Sequence, residues 1–187
     1  FFTLHNGDVA IEGIRFASAF FGKGQFSAPQ IDREGDSYVL RQKLDAAYFQ
    51  PLNPPQRVTP QTWYQVRDKR GRAQKCSLEQ IALITETKSG FRVRIQAHGT
   101  EGVPMAVEIN LRKGTDISGC TPENNGVSFL PNGYAICSSG ANRIRFGPGI
   151  RQHSYTEIRG ALPKLPGASI YLTFFSPFDH TMEFECS

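Results

Sequence analysis

In residues 91–98, Phe91, Val93, Ile95 and Ala97 alternate with Arg92, Arg94, Gln96 and His98. A period of two places the first set on one face of an extended chain and the second on the other, whereas a helix would scatter both around its circumference. The segment is predicted to be a half-buried strand. Residues 105–112 repeat the scheme, with Met105, Val107, Ile109 and Leu111 on one side and Glu108, Asn110 and Arg112 on the other. Antiparallel sheets with one solvated face read in this way.

The same reading predicts strands over 9–16, 37–44, 78–85, 134–138, 143–146, 169–174 and 181–186. Between 78–85 and 91–98 the run Glu86-Thr87-Lys88-Ser89-Gly90 supplies a short loop, so these two strands are expected to form a hairpin. Turn chemistry separates the others: Asn6-Gly7-Asp8, Glu34-Gly35-Asp36, Asn132-Gly133 and Ser139-Gly140. Nine or ten short strands (roughly) without intervening helical patterns predict an all-β fold, a two-sheet antiparallel β-sandwich of jelly-roll type. The chain has 187 residues, a length at which a sandwich is commonly one domain, so 1–187 is read as a single domain. Its opening, Phe1-Phe2-Thr3-Leu4, has a strand-like pattern and no initiating Met, and a fragment of a longer chain is expected.

Composition narrows the function classes. Twenty-one basic against 17 acidic residues give a net charge of +4, which tolerates an anionic partner without demanding one. No nucleic-acid-reading motif is present, so nucleic acid is not an expected partner. No apolar run reaches the roughly 18–20 residues that span a bilayer, and no membrane partner is expected. Cys76, Cys120, Cys137 and Cys186 are not spaced as structural zinc ligands, and His5, His98, His153 and His180 do not fall at metal-ligand spacing, so no metal is assigned. The cysteines are compatible with two disulfides in a secreted or periplasmic setting or with free thiols in a reducing one. Cys120 and Cys137 are the first pair to test. No GxSxG, HExxH, Walker-type or dinucleotide signature occurs, and no cofactor is assigned. Gly147-Pro148-Gly149 reads as a tight turn.

Three regions carry chemical character. Residues 48–75 hold Pro51, Pro54, Pro55 and Pro60, then Trp63-Tyr64 and the basic run Arg67-Asp68-Lys69-Arg70-Gly71-Arg72. Such a proline density excludes a regular element from the first half and predicts a long basic loop. Its aromatics either plug the open end of the sandwich or, with Arg67 and Arg70, bind a ligand. Arg143 and Arg145 flank Ile144 on a predicted strand and could join the loop arginines in one polyanion-binding patch. In residues 151–159 an extended chain would place Arg151, His153, Tyr155, Glu157 and Arg159 on one face. That set could bind an acidic sugar and, with His153 or Tyr155 as base and Arg151 or Arg159 neutralising a carboxylate, remove the adjacent proton. The same face also suits a solvated outer strand of weak ion pairs. Asp179-His180 is read as structural, since neighbours on a strand point to opposite faces.

The run Phe146-Gly147-Pro148-Gly149 through His153-Ser154-Tyr155-Thr156-Glu157-Ile158-Arg159-Gly160 to Tyr171-Leu172-Thr173-Phe174-Phe175-Ser176-Pro177-Phe178-Asp179-His180-Thr181 resembles the C-terminal β-sandwich portion of bacterial heparinase-like proteins. The resemblance covers about the last third of the chain. It implies a helical toroid elsewhere in a parent protein, and polysaccharide lyases that use Tyr and His near the junction of toroid and sheet domain. By residue type His153 and Tyr155 are the candidates, although no defined catalytic motif matches them. The expectation is a carbohydrate-binding or accessory domain of an acidic-polysaccharide-processing protein, partnered by the glycan and by a helical catalytic domain. A lyase acting by β-elimination and a structural or protein-interaction module are the alternatives.

Overall fold

A computed structural model describes residues 2–124 and 126–187, leaving Phe1 of the opening run outside the described residues. In chain order the strands are β1 (Phe2–Asn6), β2 (Val9–Ser18), β3 (Gln30–Glu34), β4 (Ser37–Phe49), β5 (Arg72–Thr87), β6 (Gly90–Gly99), β7 (Pro104–Leu111), β8 (Asp116–Ser118), β9 (Thr121–Pro122), β10 (Val127–Phe129), β11 (Ala135–Ser139), β12 (Asn142–Gly147), β13 (Ser169–Phe175) and β14 (Phe178–Cys186). They form two sheets packed face to face. One runs β1-β2-β7-β13-β10-β9 and the other β3-β4-β5-β6-β14-β12-β11-β8. The predicted two-sheet β-sandwich is the observed fold. Pairing is antiparallel except between β10 and β13, which run parallel.

The alternation drives the layering. Val93, Ile95 and Ala97 of β6 and Met105, Val107, Ile109 and Leu111 of β7 are all buried, each set lining the inner face of its own sheet. On the six-stranded sheet, Leu172 stands opposite Val107 and Ile170 opposite Ile109. On the other sheet Phe146 stands opposite Phe184, with ring centroids 5.5 Å apart and nearly parallel. Such aromatic pairs add about 0.5–1.5 kcal/mol beyond their area burial. The outer face of the eight-stranded sheet instead carries cross-strand ion pairs: Arg92 with Glu183, Arg94 with Asp179 and Arg145 with Glu185.

Between β4 and β5 the sandwich extends an arm. β5 pairs with β6 from Leu78 to Thr87, but its first residues pair only with β4, down to Phe49 opposite Arg72. The free end of this ribbon carries a short helix, α1 (Pro60–Val66). Proline suits its first position because that residue's N–H would have no helical partner. Thr59 and Thr62 cap it reciprocally, each side chain meeting the other's backbone N–H at 3.3 and 2.9 Å. No residue of α1 is buried, so Trp63 and Tyr64 do not plug the sandwich. They stand on an external arm.

The extended conformation considered for 151–159 is not adopted as a strand. Apart from one parallel bridge between Arg151 and Thr173, residues 152–168 run irregularly across the outside of the six-stranded sheet. The reason is the sheet beneath. Its outer face holds apolar side chains that need cover, and Ile158 supplies it by packing onto Ala17, Ala106, Phe129 and Tyr171. We call residues 151–165 the arch.

Candidate functional site

The floor of the principal cleft is a row of side chains crossing four strands. Arg15 on β2 lies opposite Glu108 on β7, Glu108 lies opposite Tyr171 on β13, and Tyr171 lies beside Phe129 on β10. The flanking rows are Ala17, Ala106 and Thr173 on one side and Gly13, Asn110 and Ser169 on the other. The arch forms the opposite wall. Together they enclose about 610 Å³, within the roughly 300–1,000 Å³ usual for ligand pockets.

The floor is tightly wired. Asn110 Nδ2 donates to Glu108 Oε1 at 2.8 Å and to Ser169 Oγ at 2.8 Å, and Ser169 Oγ donates to the same carboxylate oxygen at 3.2 Å. The Tyr171 hydroxyl also bonds Glu108, and burial, then the nearby carboxylate, push its phenol up, so it stays protonated as a donor. Arg15 sits 4.0 Å from Glu108 and donates to the Pro163 carbonyl at 2.6 Å, tying floor to arch. At the other end Arg151 lies 3.9 Å above the Phe129 ring and bonds Glu123 at 3.0 Å and Ser154 Oγ at 2.9 Å. Glu157 and Lys164 complete the charged lining. Three cations and three anions therefore balance across the cleft.

The arch also approaches the backbone after β2 closely. Gly160 has φ +85°, and a β-carbon there would collide with the Gly22 carbonyl. Only glycine meets both demands without strain.

Arg151, His153, Tyr155 and Arg159 do not share a face, which corrects the expectation for this segment. Arg151 is in the cleft, whereas His153 is 9% exposed and turned under the arch. Its Nδ1 accepts from the Tyr155 N–H at 3.2 Å, so its proton sits on Nε2, within 3.0 Å of the Met105 carbonyl and 3.2 Å of that of Phe174. Both ring nitrogens are taken by main chain, and burial lowers its pKa below the ordinary value. Tyr155 is 60% exposed, its ring 5.0 Å from the His153 ring. Arg159 lies against Gly22, away from the cleft lining.

The expected basic patch is also divided. Arg143 and Arg145 belong to β12, while Arg67 and Arg70 end the β4–β5 arm, with β6 and β14 between β5 and β12. At about 4.8 Å per strand that separation exceeds one side chain's reach. Arg145 is further occupied by Glu185 at 2.8 Å and by the Tyr134 ring at 3.4 Å. Among the described residues no group of three or more His, Cys, Asp and Glu could hold a metal ion. All four cysteines are free thiols. Cys137 is pushed up to about 12 by burial and the neighbouring Cys120, and Cys120 to about 11 by burial.

No protein-family model, no curated protein and no solved structure matches the chain. The cleft's own floor, Arg15, Glu108 and Tyr171, was not singled out by the sequence reasoning. The available signal was polar residues at the outward positions of two strands otherwise apolar enough to be central: Glu108 and Asn110 on one, Ser169 and Thr173 on the other.

Proposed function

We propose that the chain is a glycan-binding accessory domain of a secreted or periplasmic acidic-polysaccharide-processing protein, working beside a catalytic domain of the same parent, with the cleft under the arch as its sugar site. The observation that supports this is the alternation of fixed donors and acceptors along the cleft: Arg15, Glu108, Arg151 and Glu123. A vicinal diol both donates and accepts at adjacent positions, so it can bond carboxylate and guanidinium at once while their mutual pairing persists. A balanced cleft gives no general attraction to a bare anion, whereas a uronate unit offers hydroxyls along most of its ring. The accessory reading rests on His153, whose engaged nitrogens leave no free position to accept a substrate proton.

Isothermal titration with short neutral and uronate oligosaccharides tests the reading. Binding should occur, and Arg151→Ala or Glu123→Ala should weaken it by roughly tenfold or more, the worth of one hydrogen bond to a charged group. If neither class of oligosaccharide binds, or both variants bind like the parent protein, the cleft is not a sugar site.

A further inference from the structure

The positive charge of this protein is concentrated on its arm. Residues 50–75 hold Arg57, Arg67, Lys69, Arg70, Arg72 and Lys75 against Asp68 alone, a surplus of five, while the whole chain carries +4. The remaining residues are therefore one charge negative. The pairing differs as well. On the sheet faces arginines meet carboxylates from other strands: Arg92 with Glu183, Arg94 with Asp179, Arg112 with Glu12 and Arg145 with Glu185. On the arm, among the described residues, only Arg67 meets a carboxylate, its own neighbour Asp68 at 3.6 Å.

Arg70 is also held in shape. Its guanidinium carbon lies 4.6 Å from the centroids of both the Trp63 and the Phe49 rings, and its Nε donates to the Arg67 carbonyl at 2.9 Å. That fixes the plane of the group and leaves its two terminal nitrogens as a fork, which suits the paired oxygens of a carboxylate or sulfate. The fork borders a groove of about 370 Å³ between Phe49, Leu52, Pro55 and Trp63. An arginine-stacked ring has little free face to insert into a lipid layer, and α1 at the arm's end holds no basic residue to lie along a nucleic-acid backbone.

The arm joins the cleft along one surface. Gly160 of the arch rests on Gly22, and Phe21 packs its ring 5.0 Å from that of Tyr48 at the base of the arm. Between them lies a shallow depression bordered by Lys23, Gln25, Lys43 and Gly160. Gln25 lines both this depression and the cleft.

We infer that the arm is a separate anion-binding subsite on a track that continues from the cleft, and that its ligand is an acidic polysaccharide chain. The cleft holds the hydroxyls of one stretch, and the arm takes the carboxylate or sulfate groups further along. The inference rests on the glycan reading of the cleft, and it adds a polymer, a polarity of charge and a second place of contact.

The test uses dextran sulfate, uncharged dextran and alginate as probes, at low and raised salt. It compares the parent protein, an arm variant (Lys69→Ala with Arg70→Ala and Arg72→Ala), Arg70→Lys and the cleft variant Arg151→Ala. The three arm positions are exposed or half-buried, and circular dichroism confirms that each variant is folded. The parent should bind dextran sulfate and alginate with an affinity that falls as salt rises. The arm variant should lose tenfold or more and flatten the log–log salt slope by roughly one unit per lost contact. Arg70→Lys should lose part of the affinity with little change in slope, since it keeps the charge and loses the fork. The inference is overturned if the arm variant matches the parent, if neither polyanion binds, or if single-stranded DNA or anionic lipid vesicles bind as tightly as alginate. Arm-dependent polyanion binding that Arg151→Ala leaves untouched, with no oligosaccharide binding, would remove the cleft reading and keep the arm. Oligosaccharide binding with an inert arm would do the reverse.

Discussion

The imidazole of His153 donates its Nε2 proton to the Met105 carbonyl at 3.0 Å, joining the start of the arch to β7. With Nδ1 accepting from Tyr155 and the Thr173 hydroxyl donating to the His153 carbonyl at 2.6 Å, the residue pins the arch to two strands. His153→Ala removes a buried ring and its hydrogen bonds to the main chain, so a loss of about 2–4 kcal/mol in urea unfolding is expected. Tyr155→Phe, on an exposed side chain, should stay within about 0.5 kcal/mol. Equal effects from the two would mean that His153 is not the anchor.

Burial lowers the pKa of His153 below its ordinary 6.5. A depressed pKa contributes stability that is present above the unfolded value and lost as pH falls toward the folded one. Urea midpoints should therefore decline on acidification from pH about 7 to 5. The decline should be shallower in His153→Phe. An unchanged slope in that variant would assign the acid sensitivity elsewhere.

The thiols behave oppositely. With Cys137 raised to about 12 and Cys120 to about 11, the folded protein keeps both protonated well above their ordinary 9.0. The resulting stability is complete below that value and fades as pH rises through it. Alkylation by iodoacetamide at neutral pH should be slower at Cys137 in the folded protein than in urea by roughly a hundredfold or more, because the thiolate is the reactive form. Mass spectrometry after timed quenching reads this directly, and rapid native labelling of Cys137 would refute it.

Gly160→Ala tests how the arch is seated. The added methyl meets the Gly22 carbonyl in a backbone region that already disfavours side chains. The expected cost is about 1–3 kcal/mol, together with weakened cleft binding. Gly35→Ala is the control: it also has positive φ, but nothing lies near its β-carbon. It should cost less and leave binding intact, as a denaturant series paired with titration would reveal.

The sandwich was legible because alternation reports directly which face of a strand is buried. Residues 91–98 lie within β6 and 105–112 at β7 as expected, and the predicted hairpin joins β6 to β5. Short strands such as β8, β9 and β10 were not legible, since two or three residues cannot display a period. The arch misled for a related reason: Arg151, His153 and Tyr155 alternate in type, but a single backbone bridge at Arg151 gives the segment no ladder to hold it extended. The cleft was hidden because its floor comes from β2, β7, β10 and β13, whose lateral order no local pattern encodes. The helix on the arm followed from Pro60 and two threonines, signals present in the sequence but outweighed by the surrounding prolines.

β13 is covered on both sides, by Ile170, Leu172 and Phe174 toward the interior and by Tyr171 beneath the arch. Seven consecutive residues thus answer to two separate requirements, compact filling on one side and the contour of a recess on the other. A replacement that shifts this strand to relieve crowding at Leu172 must also tilt Tyr171 and move the carboxylate it holds. Altering what the recess accepts is therefore easier from the arch than from the sheet below it.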